Sequence, residues 1–156
     1  MNKFTTALLL GTALVAPSAA IAKDITVDVK MARFGGYPAY AAVYITNPDG
    51  SYNSTLWVAG SKQRYLGALR QWAKGVSVAG VTLDGISGAS VGGGKTLTVS
   101  SSIADSMIDA GYEVHVDTAV EEGGQYSSDA AAPLTTAAMG QPVDGTGYVG
   151  TLTVKF

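Results

Sequence analysis

Apolar and polar residues alternate strictly near the start of the chain. Ile25, Val27, Val29 and Met31 interleave with Asp24, Thr26, Asp28 and Lys30. A period of two puts one side of the backbone against a core and the other in water, so this segment is a half-buried strand. Ala39 to Thr46 is a second, more apolar strand. The turn cluster Asn47-Pro48-Asp49-Gly50 follows it, and Ser54 to Ala59 returns, which predicts a hairpin. The period then changes. Between Ser61 and Lys74, Tyr65, Leu66, Leu69, Trp72 and Ala73 share one helical face, while Lys62, Arg64, Arg70 and Lys74 lie off it. Ser61 is placed to cap this helix and Gly75 to end it.

Strand patterns resume at Val76 to Leu83 and at Thr96 to Val99, around a Gly/Ser-rich loop. Ile103 to Ala110 has no decided period. Tyr112 to Val120 is a clear strand with Val114 and Val116 inward. Ser127 to Asp144 is small, polar and without a period, and Gly147 to Phe156 is the last strand. About seven short strands with frequent turns predict an antiparallel β-sandwich. The alternation of Tyr148, Gly150, Leu152, Val154 and Phe156 also suits the closing strand of a membrane barrel. Such a barrel needs alternating strands of about ten residues throughout, which this chain lacks.

The N terminus changes where the sandwich is expected to work. Lys3 precedes the apolar run Ala7 to Ala16, Pro17 and Ser18 break it, and Ala20-Ile21-Ala22 has the small-x-small form of a cleavage site. The run is shorter than the roughly 20 residues that span a bilayer. Residues 1–22 therefore read as a cleavable signal peptide and residues 23–156 as one domain, exported to the periplasm with no membrane span. Without Lys3 the chain holds nine basic and twelve acidic residues, a net charge of about −3. No basic patch suggests nucleic acid or anionic lipid as a partner. There is no cysteine, so the domain needs its core for stability and has no thiol chemistry.

Several landmarks occur in a recognisable order: Tyr37-Pro38-Ala39-Tyr40, the Asn47 to Gly50 turn, Leu56-Trp57, Arg64-Tyr65-Leu66, Trp72-Ala73, the Asp84 to Ser90 stretch, and Gly111-Tyr112-Glu113-Val114-His115-Val116. Together they resemble the predicted periplasmic proteins grouped as domain of unknown function 2271. The resemblance implies an immunoglobulin-like sandwich similar to the domain of the flagellar hook-cap protein. It also implies a neighbourhood of membrane redox proteins and a flavin transferase. The chain departs from the family pattern between Gly92 and Ala110, where it carries more Ser and Gly. The expected fold is thus an immunoglobulin-like antiparallel β-sandwich with one inserted amphipathic helix, burying Trp57, Leu69, Trp72, Val114, Val116, Leu152 and Val154.

Asp84-Gly85-Ile86-Ser87-Gly88-Ala89-Ser90 resembles the recognition motif of extracytoplasmic flavinylation, D-x-x-(S/T)-G-A-(S/T). The resemblance implies FMN joined through its phosphate to the Ser90 hydroxyl. The residue types suit that chemistry. A hydroxyl entering another enzyme's active site needs small neighbours such as Gly88 and Ala89. Asp84 can brace the loop by accepting backbone N–H bonds, and Ser87 is the motif's first hydroxyl. Ser90 stands where Thr is usual, and Val91-Gly92 follow where Thr-Ser often do. The competing reading of the same residues is a plain glycine-rich loop between strands.

Other candidate chemistry is thinner. Ala89 to Thr96 fits a phosphate-loop pattern ending in Gly94-Lys95-Thr96, but a strand pattern follows it instead of a helix. His115 is the only histidine and alternates with Val114 and Val116, so it is expected on an exposed polar face with Glu113 and Asp117. The pairs Asp105 with Asp109 and Glu121 with Glu122 match no calcium loop. No nucleophile–base pair stands out, so the chain is not expected to be an enzyme on its own. Two functions remain. One is a periplasmic electron carrier with FMN on Ser90, serving a flavin transferase and a membrane redox partner. The other is a cofactor-free module that binds or scaffolds envelope proteins through its sheet edges or the 127–144 loop.

Overall fold

The computed structural model describes residues 20–83, 85 and 87–156. The leader up to residue 19, and with it most of the expected signal peptide, lies outside the described residues.

Among the described residues, nine strands form two sheets. The four-stranded sheet has the order β5-β1-β9-β8, built from Thr96–Ala104, Ala22–Met31, Val149–Lys155 and Val143–Asp144. The five-stranded sheet has the order β4-β3-β2-β6-β7, built from Ser87–Gly88, Tyr52–Ala59, Tyr40–Thr46, Glu113–Ala119 and Gln125–Pro133. Every pairing between these strands is antiparallel except β3 with β4. The molecule is an antiparallel β-sandwich. β1 starts at Ala22, one residue before the expected mature terminus Lys23.

The alternation of β1 has its anticipated cause. Ile25, Val27, Val29 and Met31 face the inter-sheet core together with Val43 and Ile45 of β2, Val114 and Val116 of β6, and Leu152 and Val154 of β9. β2 is buried along its whole length because it has cover on both sides. Its other face, Tyr40, Ala42 and Tyr44, lies with Val58 beneath Leu69 and Trp72. The molecule therefore has a third, helical layer on the outer face of the five-stranded sheet.

That layer differs from expectation. Instead of one helix from Ser61 to Lys74 there are two, α1 at Gln63–Leu66 and α2 at Arg70–Ala79. α2 occupies the first part of the segment Val76 to Leu83, which was expected as a strand. Ser61 is not the cap, and neither helix has a side-chain cap from its own N-cap residue. Gly75 does not end the helix; the chain leaves it at Gly80, in the left-handed conformation with φ 64°. A Cβ on Gly75 would lie 2.4 Å from Cβ of Tyr52, so this glycine lets α2 approach the sheet. Burial of Leu69 and Trp72, worth roughly 2–3 kcal/mol each, anchors the layer despite its poor caps.

Of the expected core residues, Leu69, Trp72, Val114, Val116, Leu152 and Val154 are buried, while Trp57 is only partly so. β5 runs beyond Val99 to Ala104, and a single 3-10 turn at Asp105–Met107 follows. Thr96 opens this strand, so the phosphate-loop pattern at Ala89 to Thr96 has no helix to present N–H groups to a phosphate. β7 fills the first part of the 127–144 segment, which showed no period.

Candidate functional site

Of the Asp84 to Ser90 stretch, residues 87–90 run along an edge of the five-stranded sheet. Asp84 and Ile86 are outside the described residues, and with Asp84 the bracing role expected of it. Ser87 and Gly88 form β4, parallel to Val58 and Ala59 of β3. The Gly60 N–H donates to the Gly88 carbonyl at 2.7 Å. Gly88 is required here, because a Cβ would lie 2.8 Å from the Trp57 ring. Beyond Ser90, Val91 and Ala39 exchange two backbone hydrogen bonds of 2.7 and 2.8 Å. Ala89 is exposed and Ser90 partly exposed, so the pair forms a short bridge between two backbone anchors. A groove of about 540 Å³ runs along β4, lined by Ser87, Gly88, Val58, Leu66, Val81 and Leu83 among others. The structure brings Ser87, Gly88, Ala89 and Ser90 together as an edge segment rather than a loose loop.

A second set of polar groups, not anticipated from the sequence, lies under α2. His115 does not sit on an exposed face: it is 9% accessible. The face it shares with Glu113 and Asp117 is the one that borders the helical layer, so its polar pattern marks a hydrogen-bonded interior. The Nδ1 atom of His115 is 2.8 Å from Oγ of Ser128, and its Nε2 is 3.1 Å from Glu113. Ser128 has φ 48°, at an irregularity in the β6–β7 ladder. The Ser128 N–H donates to the fully buried Asp117 carboxylate at 2.7 Å. His115 thus links Ser128 to Glu113 beside the buried Asp117.

Asp117 also accepts from the Tyr44 hydroxyl at 3.0 Å and from the Trp72 N–H at 2.9 Å. The second bond supplies, from β6, the cap that α2 lacks. Burial, the Asp117 charge and the hydrogen bond to it all raise the Tyr44 pKa far above its ordinary value. Unfolded tyrosine ionises near pH 10. Above that pH the unfolded chain gives up a proton that folded Tyr44 keeps, so stability falls as pH rises. Urea midpoints measured from neutral pH to about pH 11 should fall less steeply in Tyr44→Phe than in the parent. Equal slopes would show that Tyr44 does not carry the alkaline loss.

A second cavity of about 530 Å³ opens between α2 and the β2–β3 hairpin. Tyr44, Thr46 and Tyr52 contribute from the sheet, and Gln71, Lys74 and Val78 from α2. Thr46 is 1% exposed, and its Oγ1 has no hydrogen-bond partner among the described residues. An unmade bond at a buried hydroxyl costs roughly 1–3 kcal/mol. The sequence signal was weak: one threonine at the end of an apolar strand.

The carboxylates flagged in the sequence are engaged separately. Asp109 accepts from the N–H and hydroxyl of Thr136 at 2.9 and 2.7 Å. Glu121 is 3.2 Å from Lys62 and accepts from the Tyr40 hydroxyl at 3.1 Å. Among the described residues, no three His, Asp or Glu side chains converge as a metal site would require.

The family model for predicted periplasmic proteins, domain of unknown function 2271, matches residues 22–151. The chain belongs to this family. Its match runs from β1 through the helical layer to the first residues of β9, and the protein is periplasmic. No helix among the described residues is long and apolar enough to cross a membrane. No curated protein and no solved structure matches the chain.

Proposed function

We propose that this protein is a periplasmic electron-transfer module carrying FMN covalently on Ser90, beside a membrane redox partner. The observation that carries the reading is the placement of Ser90: partly exposed, on a sheet edge, with small neighbours and a groove along the same segment. The fit is that of an anchor. Gly88 and Val91 hold the backbone on either side, and Ser90 between them is partly exposed. Ser87 and Gly88 border the groove, where the aliphatic Val58, Leu66, Val81 and Leu83 alternate with the polar Ser61, Gln63 and Thr82, a mixed lining that suits a ring system with polar edges. Attachment would join the Ser90 oxygen to the FMN phosphorus of FAD. The pyrophosphate bond would break, AMP would leave, and the hydroxyl proton would pass to a base of the transferase. The bound flavin would supply the electron chemistry, with the sandwich setting its exposure and surrounding charge.

The strand order supports the immunoglobulin-like part of the reading. Immunoglobulin sheets place strands A-B-E-D against C-F-G, with a further C′ strand beside C in variable domains. Here β1 stands as B, β2 as C, β3 as C′, β5 as E, β6 as F and β7 as G. β9, the last strand in sequence, takes the place of A beside B. The topology thus reads as an immunoglobulin sandwich with its first strand moved to the C terminus.

The mass of the protein isolated from its own periplasm tests the function. The expected mass exceeds that of the mature chain by one FMN less water. Ser90→Ala should return it to the chain mass, and Ser90→Thr should keep the flavin. An unmodified, colourless protein from cells with active transferase would overturn the proposal and leave the cofactor-free envelope module as the function.

A further inference from the structure

We propose that the cavity between α2 and the β2–β3 hairpin binds a small aromatic carboxylate. It is separate from the flavin proposal. Ser90 lies next to Val91, which pairs with Ala39 at the start of β2, whereas the cavity reaches Thr46 at the strand's other end. Seven residues of strand separate the two, a span of roughly 23 Å.

Four observations carry the assignment. The volume, about 530 Å³, is that of a small-molecule site. Thr46, whose buried hydroxyl has no partner among the described residues, borders it at the end of β2. Tyr52, partly exposed, provides aromatic surface, and the buried Tyr44 ring backs it with centroids 6.4 Å apart. Val78, 81% exposed at the rim, is an apolar side chain that a bound ring would cover.

Charge selects the class. Lys74 is the one charged side chain in the lining, and it takes part in none of the ion pairs formed among the described residues. Gln71 adds an amide on the same helix. One ammonium and a few neutral donors match a monoanion. A phosphate ester asks for a denser set of cations and N–H groups. Gly75 is what lets the helix come close enough to form this wall.

The test uses protein expressed without a flavin transferase, so its result is independent of Ser90 modification. The 15N-labelled protein is titrated with indole-3-acetate and benzoate, and with indole-3-acetamide as the neutral control. At least one acid should bind with Kd near or below about 1 mM. Its amide shifts should centre on Thr46, Tyr52, Lys74 and Val78. Lys74→Gln should weaken binding about tenfold. Val78→Trp should block the site while leaving the spectrum folded. The proposal is overturned if no acid shifts these amides at about 5 mM. It is equally overturned if indole-3-acetamide binds as well as the acid, or if Lys74→Gln changes nothing.

Discussion

Asp129→Ala should destabilise the fold by roughly 3–5 kcal/mol, the cost of breaking a hydrogen-bond network centred on one buried side chain. Asp129 is 1% exposed and its carboxylate is saturated. Oδ1 accepts from the N–H groups of Thr146 and Gly147 at 2.9 and 2.6 Å. Oδ2 accepts from those of Tyr148 and Val149 at 2.8 and 3.0 Å, and from the Thr118 hydroxyl at 2.5 Å. Asp129 belongs to β7 in one sheet, while Val149 opens β9 in the other. In a domain without cysteine, this carboxylate ties the two sheets at one end. Alanine would leave four N–H groups without this acceptor, three part-buried and that of Val149 buried. The melting temperature should fall by roughly 10 °C. Asp129→Asn, which keeps one oxygen, should lose about half as much. The control is Asp109→Ala, whose carboxylate holds Thr136 at the surface and should cost less than about 1 kcal/mol. If Asp129→Ala melts like that control, the tie is not what holds the sheets.

How legible this architecture is in the sequence depends on what each face meets. β1 was readable because one face is core and the other water. β2 was readable as a long apolar run. β6 was readable as a strand, but its second face was assigned to solvent when it borders a third layer. The side chains of His115 and Asp117 looked like surface charge for that reason. β7 was invisible because its inward residues are Ala130 and Ala132, small enough to blur hydrophobic contrast, and its buried Asp129 inverts it. The three serines at 100–102 hid the far half of β5 in the same way. Gly75 misled for a different reason. Glycine after an amphipathic run usually marks a helix end, but here the close approach of Tyr52 demands it in the interior. The flavinylation-like stretch was legible as residue types. Its hold on the sheet edge, through Gly60 and Ala39, depends on partners far along the chain and could not be read locally.

Asp117→Ala should loosen α2 selectively as well as destabilise the fold, by roughly 3–4 kcal/mol overall. The helix begins after Leu69 with no side-chain cap of its own, and the Trp72 N–H reaches the Asp117 carboxylate instead. Alanine would strand that donor together with the Tyr44 hydroxyl and the Ser128 N–H. Hydrogen exchange separates the two effects. Amides of α2 should exchange by local opening well before those of β1 and β2, whereas in the parent the helix is held by Asp117 and by Trp72. The Tyr44 term can be isolated by a double-mutant cycle. Tyr44→Phe should cost about 1 kcal/mol in the parent and close to nothing beside Asp117→Ala, a coupling of about 1 kcal/mol. The proposed ligand site supplies a further readout, because Gln71 and Lys74 ride on the same helix. Loosening α2 should weaken aromatic-acid binding, although Asp117 does not line the cavity. If α2 exchanges no faster than the sheet in Asp117→Ala, the helix is held by packing alone and the borrowed cap contributes nothing.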